Sequence, residues 1–140
     1  MSMKQSIAFP VLLLLLLGVT SSATMRFAPL QREQILNVRI DPTHVLRSIK
    51  GVRIRFAPGQ PTGRHLHPVP TVGVVTEGTF VFQAQGEQSK LLGKGDAFYE
   101  PAGVPILMFN NRSATSPAEI EAFYLQEDPS SPIVKMLSAP

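Results

Sequence analysis

Between Ile35 and Gln126 the chain repeats one pattern: short runs of alternating or β-branched residues, cut every few positions by glycine, proline or asparagine. Such runs are too short and too strictly alternating for helices, and they predict brief antiparallel strands. The expected strands lie near Ile35–Ile40, Ser48–Ala57, Thr71–Thr76, Thr79–Ala84, Ser89–Leu92, Ala97–Glu100, Pro105–Asn110 and Glu119–Gln126. The turns between them, "APGQPTG", "TEG", "QGEQ", "GKGD" and "PAGVP", supply glycine for positive φ or proline for a fixed φ. No stretch after the first two dozen residues sustains a 3.6-residue apolar period. About eight short strands and no helix close most naturally as a sandwich or barrel.

The opening "MSMKQSIAFPVLLLLLLGVTSSAT" reads differently. Lys4 precedes an apolar run from Ile7 to Val19, and small residues follow at Ser21, Ser22 and Ala23, the order of a secretory signal peptide cleaved after Ala23. The run is short of the ~20 residues a spanning helix needs and contains Pro10, so stable membrane insertion of the mature chain is not expected. The expected layout is a signal peptide over residues 1–23, an N-terminal arm or first strand over 24–47, a β-barrel over 48–128 and a C-terminal tail or surface strap over 129–140. Export would place the mature protein outside the cell or in the periplasm.

The chain has no cysteine, which excludes disulfides, thiolate metal sites and a Cys nucleophile. The net charge of +3 comes from scattered Lys and Arg, with no basic cluster of the kind that tracks phosphates, so nucleic-acid binding is not expected. In "GVRIRF", Arg53 and Arg55 share one strand face while Val52, Ile54 and Phe56 take the other. A solvated strand face accounts for the two arginines.

The stretch "GRHLHPVPTVGVV" carries chemistry. On a strand, side chains at i and i+2 point the same way with Cα atoms about 6.5 Å apart. His65 and His67 can therefore converge on one ion at the ~2.1 Å of a metal–imidazole bond. The residues around them strengthen the signal. Gly59, His65, His67 and Gly78 fall at the intervals of the first motif of the cupin superfamily, G-x5-H-x-H-x3,4-E-x6-G, and Gly95, Pro101, Gly103 and Asn110 fall at those of the second, G-x5-P-x-G-x2-H-x3-N.

Over residues 48–126 the chain thus resembles a small single-domain cupin, which implies an all-β jelly-roll barrel. In cupins the two motif-one histidines, the glutamate and the motif-two histidine hold a metal. Here the glutamate position is Thr71 and the last histidine position is Ile106, so only His65 and His67 carry over. Glu100, in "AFYEPAGVP", is the candidate replacement. Facing inward, it would complete a 2-His-1-carboxylate set; facing outward, it is a solvated or hydrogen-bonded residue at the barrel mouth. Glu77, in a hairpin turn, is a weaker candidate, and His44 matches no motif. Asn111-Arg112-Ser113 has the form of a glycosylation sequon.

Ile106, Met108 and Asn110 are expected on one inward strand face, giving a pocket more apolar than a metal-rich cupin has. Candidate ligand-contacting residues are Arg64 at the rim with Thr71, Phe82, Tyr99, Ile106 and Met108, and Phe80, Val75, Phe98 and Tyr124 are further candidates for the lining. The resemblance allows a divalent metal (Fe, Mn, Ni or Zn) as Lewis acid or oxygen activator, with a small organic substrate and dioxygenase, isomerase, decarboxylase or lyase chemistry. It also implies a homodimer, since small cupins commonly pair. The competing expectation is a non-catalytic barrel that binds a small ligand and has lost metal ligands at Thr71 and Ile106.

Overall fold

Alternation along the chain becomes alternation across two antiparallel sheets. The computed structural model describes residues 30–41 and 43–138, so the expected signal peptide lies outside the described residues. Residues from Glu33 onward form one unit. Its strands are β1 (Ser48–Phe56), β2 (His65–Leu66), β3 (Thr71–Glu77), β4 (Thr79–Ala84), β5 (Lys90–Gly93), β6 (Ala97–Glu100), β7 (Ile106–Asn111), β8 (Ala118–Gln126) and β9 (Lys135–Met136). They pair in the orders β1-β8-β3-β6 and β5-β4-β7-β2-β9, the two faces of a jelly-roll barrel.

The longer strands each turn one apolar face inward. In β1, Phe56 is buried and Val52 and Ile54 pack against the core, while Arg53 and Arg55 face out and pair across the strand boundary with Glu121 and Glu119 on β8. The arginine pair is thus a salt-bridged outer face. The core centres on Phe109, whose ring meets those of Phe98 at 4.9 Å, Phe80 at 5.2 Å and Phe82 at 5.4 Å edge-on, and stacks with Phe56 at 6.4 Å. Edge-to-face pairs of this kind each add about 0.5–1.5 kcal/mol beyond burial.

Two glycines of the motifs are fixed by geometry. Gly78 turns β3 into β4 at φ +80°, and a Cβ there would lie 2.7 Å from that of Ala118. Gly103, at φ +73°, donates its N–H to the His67 carbonyl at 2.8 Å and so ties the second motif to the first.

Three expectations require correction. Ile35–Ile40 forms no strand, and Ile35 is largely exposed. The inward face of β7 is Ile106, Phe109 and Asn111 rather than Ile106, Met108 and Asn110. The cause is a bulge: Gln83 pairs with Met108 but Ala84 pairs with Ile106, so Leu107 is skipped and the alternation inverts beyond it. The C-terminal segment is more than a tail, since β9 adds to the sheet edge beside β2.

Candidate metal centre

Three buried polar side chains meet inside the barrel. His65 comes from β2, His67 from the turn that follows, and Glu100 from the end of β6, and all three are 3–4% exposed. The inward position of Glu100 follows from the alternation of β6, where Phe98 and Glu100 face in while Ala97 and Tyr99 face out. His67 Nε2 lies 3.0 Å from Glu100 Oε2, and His65 Nε2 lies 3.8 Å from Glu100 Oε1. The ligand-capable atoms of the three residues all lie within 4.8 Å of one another.

The other ring nitrogens decide what these contacts mean. His65 Nδ1 is 2.9 Å from the Gly63 carbonyl, and His67 Nδ1 is 2.5 Å from the Ile133 carbonyl. A carbonyl oxygen only accepts, so both Nδ1 atoms must carry the proton. In the neutral rings each Nε2 then holds a bare lone pair, and both lone pairs face an ionised carboxylate. Three acceptors pointed at one another need a cation between them. A proton on an imidazole can serve; a divalent metal serves all three at once. Backbone carbonyls fixing the outer N–H is also how metal-binding histidines are usually held, so the residues present fit a divalent ion.

The ionisation of the set agrees with this. Burial works against charge on His65, yet the nearby Glu100 carboxylate and the hydrogen bond to the Gly63 carbonyl together hold it above the ordinary histidine value. Burial likewise works against charge on Glu100, and the two histidines outweigh it, leaving the carboxyl below its ordinary value. Tyr124 packs its ring 5.2 Å from that of His67, and burial together with the Glu100 charge pushes its hydroxyl up to about 12. It keeps its proton.

A cavity of about 280 Å³ opens onto the set, and its walls include Ile54, Phe56, Phe109, Ile120 and Ala122. That is just under the ~300–1,000 Å³ usual for ligand pockets, so the occupant must be small. The remaining candidate residues are placed otherwise. Tyr124 lines the cavity, but Thr71 and Ile106 are fully buried beside the ligand set without opening onto it. Phe80, Phe82, Phe98 and Val75 belong to the packed core, Tyr99 lies on the opposite face of β6 from Glu100, and Met108 is turned away by the β7 bulge. Arg64 does not line the cavity and donates to the Ser138 carbonyl at 3.3 Å. Glu77 ends β3 at the exposed hairpin, and His44 pairs with Glu127 on the surface. Asn111 is buried, donating to the Ala57 and Ser116 carbonyls at 3.0 and 2.8 Å, which removes it as an accessible sequon. Sequence reasoning missed Phe109 in the cavity wall and the Ile133 carbonyl behind His67.

Residues 52–124, over half of the chain, match the family model of the cupin domain, and the chain belongs to that family. An oxalate oxidase in complex with the substrate analogue glycolate superposes with a TM-score of 0.54 at 23% identity, over 64% of this chain and 46% of that one. A DMSP lyase from Ruegeria pomeroyi gives 0.53 at 19% identity over 64% and 43%, and a cupin-like protein from Thermotoga maritima gives 0.54 at 22% identity over 65% of each. At these identities the likeness is one of fold, and this chain spans less than half of the oxidase and lyase chains. No curated protein matches it by sequence. Among the described residues no helix is long and apolar enough to cross a membrane.

Proposed function

We propose that this chain is an exported cupin that binds one divalent metal (Fe, Mn, Ni or Zn) through His65, His67 and Glu100 and acts there on a small organic molecule, as an oxygenase, isomerase, decarboxylase or lyase. The observation that carries the reading is the pair of Nε2 atoms aimed at one buried carboxylate while both Nδ1 protons are engaged by backbone carbonyls. A 2-His-1-carboxylate set leaves coordination positions for a ligand. When bound, the metal supplies a Lewis acid that polarises a ligand oxygen.

The chain's own groups do the rest. Tyr124, protonated up to about pH 12, can donate a hydrogen bond from its hydroxyl to an anionic ligand atom. Phe56, Phe109 and Ile120 exclude water from the ligand's apolar part. The signal-like first 23 residues support export, and the exposed Ile49 and Phe123 on the outer sheet face support pairing of two copies.

A second reading, a barrel that holds a small ligand without metal or chemistry, is favoured by the absence of ligand atoms at Thr71 and Ile106. Elemental analysis separates the two. Residues 24–140, purified without chelator and offered Fe(II), Mn(II), Ni(II) and Zn(II) anaerobically, should retain close to one equivalent of a metal through gel filtration and lose it in the His65→Ala/His67→Ala variant. No retained metal under any condition leaves the ligand-binding barrel.

A further inference from the structure

The segment Ile133–Ser138 makes its backbone hydrogen bonds to the stretch that carries His65 and His67. Beyond β8, buried Gln126 donates from Nε2 to the Ser131 carbonyl at 3.2 Å, which fixes where the strap begins. Ile133 then packs against the core and presents its carbonyl to His67 Nδ1. Lys135 and Met136 pair with Leu66 and His65, the Leu137 N–H donates to the Arg64 carbonyl at 2.9 Å, and Arg64 Nη1 reaches the Ser138 carbonyl. Val134 and Met136 form part of the cavity wall, although they are 43% and 59% exposed.

We infer that the strap Ile133–Ser138 is a positioning element of the metal site: its docking and metal binding stabilise each other, with the Ile133 carbonyl as the link. The inference rests on the metal-binding reading above. Its physical content lies in the difference between the two histidines. His65 has its Nδ1 proton held by Gly63, two residues away, a contact that any conformation of the strap leaves intact. His67 has its Nδ1 proton held by a residue 66 positions distant, on a segment secured by Ile133 and by the two-residue β9 pairing. With the strap docked, the proton is fixed on Nδ1 and the Nε2 lone pair faces Glu100. With the strap away, the ring is free to rotate and to place its proton on Nε2, where a metal cannot bind. Outer partners of metal-binding histidines typically contribute about 10–100-fold in affinity. Coupling between two binding events is reciprocal, so the metal must hold the strap down by the same factor.

The test compares residues 24–140 with a variant ending at Pro132, using Zn(II) as the probe. Zinc affinity is measured by competition with a chromophoric chelator, and hydrogen exchange of the strap amides, Leu137 above all, is followed with and without zinc. The expected results are a loss of about 10–100-fold in zinc affinity on truncation and, in the intact chain, a slowing of strap exchange by zinc that exceeds the slowing in β4. Equal zinc affinity of the two proteins overturns the coupling while leaving the metal site standing. Should the truncated chain fail to fold, the intact chain decides alone: strap exchange unaffected by zinc, or slowed no more than in β4, overturns the inference. An intact chain that takes up no zinc or other divalent metal overturns the metal-binding reading itself, and the coupling with it.

Discussion

Thr71 and Glu100 face each other across the β3–β6 pair as direct Cα partners. Thr71 stands where the cupin motif has its glutamate, so the carboxylate has not vanished from the site; it stands one strand over, on the neighbouring inward position. The motif-two histidine has no such substitute in the set, which holds only the two motif-one histidines and Glu100. Ile106, at the motif-two histidine position, is the Cα partner of His65 across β2 and β7. Both altered positions therefore adjoin a member of the candidate set, and each can be tested by substitution.

The first test is an exchange. Glu100→Ala should weaken zinc binding by at least about 100-fold, since losing even an outer partner costs about 10–100-fold. Thr71→Glu/Glu100→Thr returns the carboxylate to the motif position at nearly constant volume, and should recover most of that loss. Chelator competition measures both. An exchange variant as weak as Glu100→Ala would show that position 71 cannot reach the ion.

Ile106→His asks whether the site still has room for a fourth ligand. Ile106 is fully buried, so an imidazole there has few partners without metal, and the metal-free protein should lose about 1–3 kcal/mol. With zinc the new Nε2 becomes a ligand, and affinity should rise about tenfold or more, on the scale of a single well-placed site interaction. Thermal melts with EDTA and with zinc report both effects. A variant destabilised in both conditions equally would mean that the side chain cannot turn toward the ion.

How much of this was legible in the sequence depends on which physical feature carried it. β4 and β6 were readable to the residue because their alternation is strict and their ends carry glycine or a turn. β2 and β9 are two residues long, too short for any period, and exist through their neighbours, β2 between β7 and β9 and β9 on the edge of β2. Ile35–Ile40 has strand-like composition without a partner, and composition alone does not form a ladder. His65 and His67 were visible from spacing, and Glu100 from its place before the Pro101 turn. The Ile133 carbonyl could not be found, because a backbone acceptor has no signature in the side-chain sequence.

The β7 bulge gives the face inversion a direct test. Phe109→Ala removes a ring in contact with four others and should cost about 3–5 kcal/mol. Met108→Ala, on the half-buried outer face, should cost about 1 kcal/mol or less. Denaturant unfolding measures the two. The reverse order would restore the uninterrupted alternation that the sequence suggested.

The ion pair and the metal site make opposite demands on pH. In the metal-free protein His65 is held above its reference value of 6.5, so the stability it contributes is complete below pH 6.5 and is lost as pH rises through the higher folded-state value. Glu100 is held below its reference value of 4.5, so its contribution is present above that pH and lost only as pH falls through the lower folded-state value. Above pH 6.5 Glu100 stays ionised, and the His65 contribution drains away as pH rises through its folded-state value. A metal needs the lone pair that protonation occupies, so stabilisation by zinc should grow over the same interval. Melting temperatures recorded with EDTA should therefore fall across this range relative to a His65→Ala variant, while the increment produced by saturating zinc should rise. If both followed the same slope, His65 would not be the group that exchanges a proton for the metal.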